Sequence, residues 1–264
     1  MGARSFEELL AEAAAAPVSG WDFSWLDGRA SEERPSWGYA ALLTVRLSRA
    51  HAALDLETGG GEVFAEAFAG CAHPPGTLAA TESWPPNLEL ARERLAPFGV
   101  HVEEVPDELP LPFEGEAFDL VVSRHPTVVP WPEIARVLEQ RGTFFAQLVG
   151  PGTNRELTDF LMGPQPISEV RSPERALADA VEAGLVVVDL RDERLRVVFD
   201  DVGAVAYFLR KVPWTVPGFT VDGYRSELLR LHRVIEREGS FVSHSRRLLV
   251  EARRSTEGEG VRDL

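Results

Sequence analysis

Two periodicities divide the chain into short apolar runs and longer segments in which apolar residues recur every three or four positions. The apolar runs predict strands at residues 52–56, 77–81, 100–105, 118–123 and 143–149. The helical period predicts helices at 39–50 and 62–68, and Pro85 opens another, since proline is tolerated in a first helical turn. Several of the runs are mainly apolar rather than alternating, which is typical of parallel strands with both faces covered. The pattern therefore predicts an α/β fold with a mostly parallel sheet.

The flanking regions follow the same alternation less regularly. A helix is expected at 5–16, and an irregular stretch with Trp21, Trp25 and Trp37 follows it. In the second half, Ser172 and Pro173 form a helix start, with a capping residue before a first-turn proline. The remaining expected elements are the end of that helix at Gly184, a strand at 185–190 that 195–199 either extends or follows, a helix from Asp200 or Asp201 to Arg210, a helix at 221–238, a strand at 241–252 and a disordered tail at 255–264.

Composition narrows the class of protein. The 264 residues hold 27 Lys and Arg against 42 Asp and Glu, a net charge of −15, which repels phosphate backbones and disfavours a nucleic-acid substrate. Cys71 is the only cysteine, so no intramolecular disulfide can form and a reducing compartment fits. We find no signal peptide, no membrane-spanning run and no Cys/His spacing for a metal. Lys211 is the only lysine, an arginine bias that is typical of a GC-rich genome, and we expect a bacterial cytoplasmic protein.

The stretch "LDLETGGGE", residues 54–62, carries the candidate chemistry. An apolar strand runs into glycines, which let a backbone approach a ligand closely. The spacing is not G-x-G-x-x-G, and the G-K-[ST] of a phosphate-binding loop is absent. What fits is acidic-x-(Gly)-x-Gly-x-Gly, with Asp55, position 57, Gly59 and Gly61, although position 57 is a glutamate. Glu82, at the end of the next strand, is suited to accept hydrogen bonds from two ribose hydroxyls.

Four motifs in this order resemble the class I S-adenosylmethionine-dependent methyltransferases. They are "LDLETGGGE", "ATESWPPN" with Glu82, "DELPLPFEGEAFDLVVS" with Asp107, and "EIARVLEQRGTFFAQ", in which Gln140-Arg141-Gly142 replaces Pro-Gly-Gly. The resemblance covers residues 52–151. It implies a Rossmann-like three-layer sandwich with a seven-stranded sheet whose last strand is antiparallel. We expect one domain over residues 1–254, with an N-terminal arm (1–50), a donor-binding half (51–150) and a substrate-side half (151–254) that caps the acceptor side.

The resemblance also implies a site for the methyl donor, S-adenosylmethionine, whose demethylated product is S-adenosylhomocysteine. The expected cofactor-binding residues are Asp55, Glu57, Thr58, Gly59, Gly61, Glu82, Asp107, Glu108 and Ser123. Glu57 departs from the pattern, and three interpretations stay open. Its side chain points away from the donor, or it contacts the donor's ammonium or sulfonium, or it blocks the donor.

The acceptor side is predicted from residue chemistry. His125 follows the fourth strand and is the first choice for a base, since histidine titrates near neutral pH. Arg124 is suited to hold an acceptor carboxylate. The candidate substrate-binding residues are Trp21, Trp37, Gln147, Tyr207 and Trp214. Each of these residues also has a purely structural interpretation, because large aromatics mostly serve packing and a buried glutamine needs a partner.

The sequence therefore predicts methyl transfer from S-adenosylmethionine to a small molecule, with O-, N- and C-methylation all open. The alternatives are an RNA or protein methyltransferase with the same fold, and a non-catalytic protein that binds the donor. No nucleic-acid partner, membrane association or metal is expected. Monomer and homodimer both stay open.

Overall fold

The computed structural model describes residues 4–106 and 110–255. The chain divides into two compact units. Unit 1 comprises Met1–Arg34, Pro151–Ser168 and Arg194–Arg246, and unit 2 comprises Pro35–Gly150, Glu169–Glu193 and Arg247–Leu264. The expected donor-binding half thus lies in unit 2, whereas most of the expected arm lies in unit 1.

Three of the helices begin at a residue whose side chain caps the first turn. In order, the helices are α1 (Phe6–Ala15), α2 (Tyr39–Leu47), α3 (Glu62–Ala69), α4 (Pro85–Leu95), α5 (Trp131–Val137), α6 (Arg155–Met162), α7 (Pro173–Glu182), α8 (Val202–Lys211) and α9 (Arg225–Glu238), with short 3₁₀ helices at Ser24–Leu26, Ala96–Phe98 and Glu169–Arg171. Ser5 forms a capping box with Glu8, and the Ser172 hydroxyl accepts from the Arg175 amide at 3.1 Å. Asp201, rather than Asp200, caps α8.

The strands are β1 (Ala30–Glu32), β2 (Ala52–Leu56), β3 (Thr77–Glu82), β4 (His101–Glu104), β5 (Phe118–Arg124), β6 (Leu138–Val149), β7 (Leu185–Phe199) and β8 (Phe241–Arg254). They pair in the order β1-β7-β8-β6-β5-β2-β3-β4. The pairs among β2, β3, β4, β5 and β6 are parallel, and β8 runs antiparallel to β6. The predicted α/β class, the mostly parallel sheet and the antiparallel last strand are confirmed.

The predicted strand number is wrong. Residues 4–106 and 110–255 form eight strands rather than seven. The additional strand is β1, which pairs antiparallel with β7 through Ala30 and Phe199. Three residues are too few to show an alternating pattern, so the sequence gives no sign of it. The segments 185–190 and 195–199 form one continuous strand, which settles the alternative left open above.

In unit 2 the sheet is covered on both faces. Leu54 and Leu56 of β2 face one apolar cluster, which also includes residues of α5 and α7. Ala53, on the opposite face, belongs to a second cluster, with residues of α2, α3 and α4. Successive strand residues point to opposite faces, so a strand buried on both sides is mainly apolar. This explains the apolar runs without strict alternation, and it confirms the layered arrangement in unit 2.

The strand order places a topological switch point in unit 2. From β2 the chain builds outward to β3 and β4, and then returns to β5 on the other side of β2. In open parallel sheets, ligands bind beyond the carboxyl ends of the strands at such a point. The carboxyl ends of β2 and β5 are Leu56 and Arg124, directly before the glycine-rich loop and before His125.

Unit 1 has its own core. α1, α8 and α9 contribute its buried residues, among them Leu9, Val205 and Leu231. Arg29 makes two hydrogen bonds of 2.8 Å with the Asp201 carboxylate, whose Oδ1 also accepts from the Ala204 amide at the start of α8. The ion pair therefore attaches the segment before β1 to the first turn of α8.

Candidate functional site

The glycine-rich loop joins β2 to α3 through backbone conformations that suit glycine. Gly59 and Gly61 have φ of 64° and 78°, in the left-handed region. A Cβ on Gly60 would lie 2.5 Å from the Glu62 carboxylate, and one on Gly61 would lie 3.0 Å from Leu95. Glu57 has φ of 50°, so the backbone keeps a glycine-like conformation although the residue is a glutamate.

Glu82 lies at the end of β3, as predicted, and its carboxylate closes the loop. One oxygen accepts the Gly59 amide at 2.8 Å and the other accepts the Trp84 amide at 2.9 Å. The side chain is buried, and burial raises its pKa, with the Glu57 charge adding to the effect. Each carboxylate oxygen keeps a further lone pair, so the group can accept two more hydrogen bonds.

Asp55 is the last but one residue of β2 and is only 6% exposed. It accepts the Thr58 hydroxyl at 2.6 Å. Burial raises its pKa from 3.8 to about 7, and the nearby charge of Glu82 acts in the same direction, whereas Arg124 opposes the shift. Asp55 is thus a buried carboxyl group whose ionisation a cation would favour.

Ser123 and Thr58 serve the loop in different ways. The Ser123 hydroxyl donates to the Leu56 carbonyl at 2.7 Å and links the ends of β5 and β2. Its carbonyl accepts the Tyr39 hydroxyl at 3.0 Å. Thr58 donates its amide to the Thr81 carbonyl at 2.9 Å. Of the predicted donor residues, Asp107 and Glu108 lie outside the described residues.

His125, Gln147 and Trp37 form one hydrogen-bonded network beside the end of β5. The Trp37 indole donates to Gln147 Oε1 at 2.8 Å, and Gln147 Nε2 lies 2.8 Å from His125 Nε2. The indole N–H is only a donor, so it fixes the amide with its oxygen toward Trp37 and its NH₂ toward His125. His125 Nε2 is therefore the acceptor, and Nδ1 carries the proton.

The electrostatics agree with a neutral His125. Burial holds its pKa well below its usual range, and the positive charges of Arg124 and Arg247 lower it further. The residue has φ of 60°, and its amide donates to the Gln147 carbonyl at 2.7 Å. The lone pair that a general base needs is engaged by Gln147 in this arrangement. The predicted base role stays a prediction.

Arg124 ends β5 with an exposed side chain. Across residues 4–106 and 110–255 its guanidinium makes no hydrogen bond or ion pair, although its charge influences Asp55 and His125. It is chemically able to hold an acceptor carboxylate, and this role stays a prediction.

Glu57 contacts a part of the chain that the sequence does not point to. Its carboxylate accepts the Thr127 amide at 2.6 Å and the Val128 amide at 3.3 Å. Its own amide donates to the Thr81 hydroxyl at 3.2 Å. Sequence patterns missed Thr127 and Val128 because they contribute only backbone groups, which leave no mark on residue type.

Neither a protein-family model nor a curated protein sequence matches the chain. Solved structures do. A candidate methyltransferase from Bacillus halodurans aligns with a TM-score of 0.56 at 19% identity, over 82% of this chain and 99% of that one. The YcgJ protein from Bacillus subtilis gives 0.54 at 15% identity, over 83% and 98%. The (4+2)-cyclase SpnF gives 0.51 at 17% identity, over 94% and 92%.

The chain shares its fold with these solved structures, which include a candidate methyltransferase. Within this fold, the switch point between β2 and β5 places Asp55, Gly59 and Glu82 at one edge of the sheet in unit 2. Three of the predicted donor-binding residues therefore lie together, and their role stays a prediction.

The other predicted acceptor residues lie in unit 1. Trp21 and Trp214 meet edge to face with ring centroids 5.6 Å apart, and both are well exposed. Tyr207 is buried and stacks on Trp25 at 4.5 Å, and its hydroxyl donates to the Asp22 carbonyl at 3.4 Å. Their contact with an acceptor stays a prediction.

Within residues 4–106 and 110–255, no helix has the length and apolarity needed to cross a membrane. Among the same residues, no group of three or more His, Cys, Asp or Glu side chains is arranged to hold a metal ion.

Proposed function

We propose that the chain binds S-adenosylmethionine in unit 2, at the carboxyl ends of β2, β3 and β5, and transfers its methyl group to a small-molecule acceptor. One observation carries the proposal. The Glu82 carboxylate accepts the Gly59 amide at 2.8 Å. An acidic residue at the end of β3 thus closes the glycine-rich loop that follows the adjacent strand β2. Its remaining lone pairs suit the two hydroxyls of a ribose, which are donors.

The charges of the loop fit a cationic ligand. Asp55 and Glu82 are both buried, and within the described residues neither forms an ion pair with a lysine or arginine. A buried carboxylate without a counter-charge is costly. The ammonium and sulfonium of the donor are positive charges that would offset this cost. Asp55, Thr58, Gly59, Gly61 and Glu82 are the described residues that we assign to the donor.

The chemistry asked of the protein is mainly positioning. When bound, the donor would supply a methyl group on a positively charged sulfur. An acceptor nucleophile in line with the carbon–sulfur bond would take this methyl group, and S-adenosylhomocysteine would leave. The chain's residues hold the reactants and exclude water. Arg124 supplies an exposed positive charge for an anionic group of the acceptor. For His125 to take a proton, its Nε2 must first release the Gln147 amide or the ring must turn.

Titration calorimetry with S-adenosylmethionine and S-adenosylhomocysteine tests the donor site without knowledge of the acceptor. We expect both to bind the wild-type chain. E82Q should weaken binding about tenfold or more, since hydrogen bonds to a charged group contribute about 1.5–3 kcal/mol. Glu104 offers a matched control, because it is exposed and lies opposite Glu82 on the adjacent strand β4. E104Q should bind as wild type, and absence of binding to the wild type would refute the proposal.

A second candidate function is donor binding without catalysis. The observation that favours it is the engaged Nε2 of His125, which leaves the predicted base without a free lone pair. Donor binding with no methyl transfer to a broad panel of alcohols, amines, phenols and carboxylic acids would favour this candidate. Transfer to any of them would favour the enzyme.

The small-molecule acceptor is the finer part of the proposal. A net charge of −15 argues against a nucleic-acid substrate. Trp37 and Gln147, both in unit 2, are proposed to recognise an apolar or aromatic acceptor. Tight binding of transfer or ribosomal RNA at physiological salt would contradict a small-molecule acceptor.

A further inference from the structure

The loop between β5 and α5, residues 125–130, is irregular but held in place. We call it the β5–α5 loop. At its start, the His125 amide donates to the Gln147 carbonyl at 2.7 Å. In its middle, the Thr127 carbonyl accepts Arg171 Nη2 at 3.2 Å, and the Thr127 and Val128 amides are bound by the Glu57 carboxylate. Thr127 and Val128 are exposed residues outside any helix or strand, so their amides would otherwise face water.

Glu57 is itself part of a well-fixed backbone segment. Three successive amides of the glycine-rich loop bind to the end of β3: Glu57 to the Thr81 hydroxyl at 3.2 Å, Thr58 to the Thr81 carbonyl at 2.9 Å, and Gly59 to Glu82 Oε2 at 2.8 Å. The Glu57 side chain therefore extends from a rigid support. Its two oxygens each take one amide of the β5–α5 loop, Oε2 that of Thr127 and Oε1 that of Val128.

Position 57 is a glutamate although its backbone has a conformation that favours glycine. A φ of 50° is unfavourable for a residue with a side chain, and glycine would adopt it freely. A carboxylate that accepts two backbone amides makes charge-assisted hydrogen bonds, which are stronger than neutral ones. The contact gives glutamate a physical advantage that glycine lacks at position 57.

We propose that Glu57 is a positioning residue that fastens the β5–α5 loop to the glycine-rich loop, so that a ligand which orders one also orders the other. The first part depends only on the contacts of Glu57. The second part rests on the proposed function, because it requires a donor at the glycine-rich loop. The proposal assigns Glu57 an effect on the segment that begins with His125, rather than direct contact with the donor.

Amide hydrogen exchange on the full chain tests the first part. The variants are E57G, E57D, whose side chain is one methylene shorter, and E57Q, which keeps one acceptor oxygen. E62Q is the matched control, since Glu62 is an exposed glutamate at the start of α3, directly after the same loop, and pairs with Arg94. In E57G and E57D, the Thr127 and Val128 amides should exchange about tenfold or more faster than in wild type. E57Q should be intermediate, and E62Q should match wild type.

Wild-type exchange of these two amides in E57G would overturn the proposal. Unchanged protection of β6 in the same samples shows that a variant is folded. If E57G does not fold, E57Q still decides the question, since exchange equal to wild type in E57Q and E57D would refute a role for the carboxylate.

S-adenosylhomocysteine is the probe for the second part. At saturation it should slow exchange of Thr127 and Val128 further in wild type, whereas E57G should bind it with a similar Kd and show no slowing there. Equal slowing in both proteins would overturn the coupling. A loss of S-adenosylmethionine affinity in E57Q, without a loss for S-adenosylhomocysteine, would overturn it also, because it would indicate direct contact with the sulfonium. If wild type binds neither compound, the proposed function fails, while the exchange difference without ligand still tests the contact.

Discussion

Replacement of Asp55 by asparagine should change how stability depends on pH. Asp55 is 6% exposed, and its pKa is raised from 3.8 to about 7, mainly by burial. The asparagine side chain would keep a carbonyl oxygen for the Thr58 hydroxyl, which donates to Asp55 at 2.6 Å. D55N therefore removes one titrating group with little change in shape.

The magnitude follows from the shift. A carboxyl whose pKa is higher in the folded state contributes stability that is fully present below its unfolded pKa and is lost as pH rises through the folded value. For Asp55 this window runs from about 4 to about 7, and the whole shift corresponds to about 4 kcal/mol. Between pH 6 and pH 8 the unfolded carboxyl is always ionised, while the folded one loses its proton. Half a proton on average over two pH units gives a loss of about 1 kcal/mol.

The assay is urea unfolding of wild type and D55N at pH 6, 7 and 8, and the quantity is the difference between their unfolding free energies. This difference should shift by about 1 kcal/mol in favour of D55N from pH 6 to pH 8. D27N, at an exposed aspartate, controls for the exchange of carboxyl for amide. Parallel curves for wild type and D55N would refute the reasoning, since they would mean that Asp55 stays ionised throughout.

Two further predictions concern stability. W37F should lower the unfolding free energy by about 1–3 kcal/mol in urea unfolding, because Gln147 Oε1 would lose its donor in a buried position; a loss below about 0.5 kcal/mol would show that the network relaxes without it. R141G should raise the unfolding free energy by about 0.5 kcal/mol, because Arg141 has φ of 65° and is exposed. Gln140 precedes Arg141 and has no positive φ, so Q140G should lower the unfolding free energy. A lower unfolding free energy in R141G as well would contradict the strain argument.

The strand ends were predictable because burial leaves a clear mark on the sequence. A strand covered on both faces is mainly apolar, so the acidic residues at the carboxyl ends of such runs, Asp55 and Glu82, mark the edge of the sheet. The left-handed backbone at positions 57 and 141 is one that glycine favours, although neither residue is a glycine. Motif spacing therefore located the glycine-rich loop even where individual letters differed.

The contacts that organise the site could not be predicted. Gln147 was expected to need a partner, but Trp37 lies 110 residues away in the sequence, and only the folded sheet brings the two together. The partners of Glu57 are two backbone amides, which any residue type except proline could provide. β1 is a strand because β7 offers it a pairing edge, and its own three residues carry no pattern.

The chain contains a single lysine, and that lysine is 5% exposed. The Lys211 ammonium donates to the Ser19 carbonyl at 3.1 Å and lies 5.3 Å from the ring centre of Phe23, and burial lowers its pKa. A protease that cleaves after lysine therefore has one target in the whole chain. That target becomes accessible only when the segment around Ser19 and Phe23 separates from α8. Lys211 is thus a built-in chemical reporter of local opening in unit 1, and no engineered label is needed to follow it.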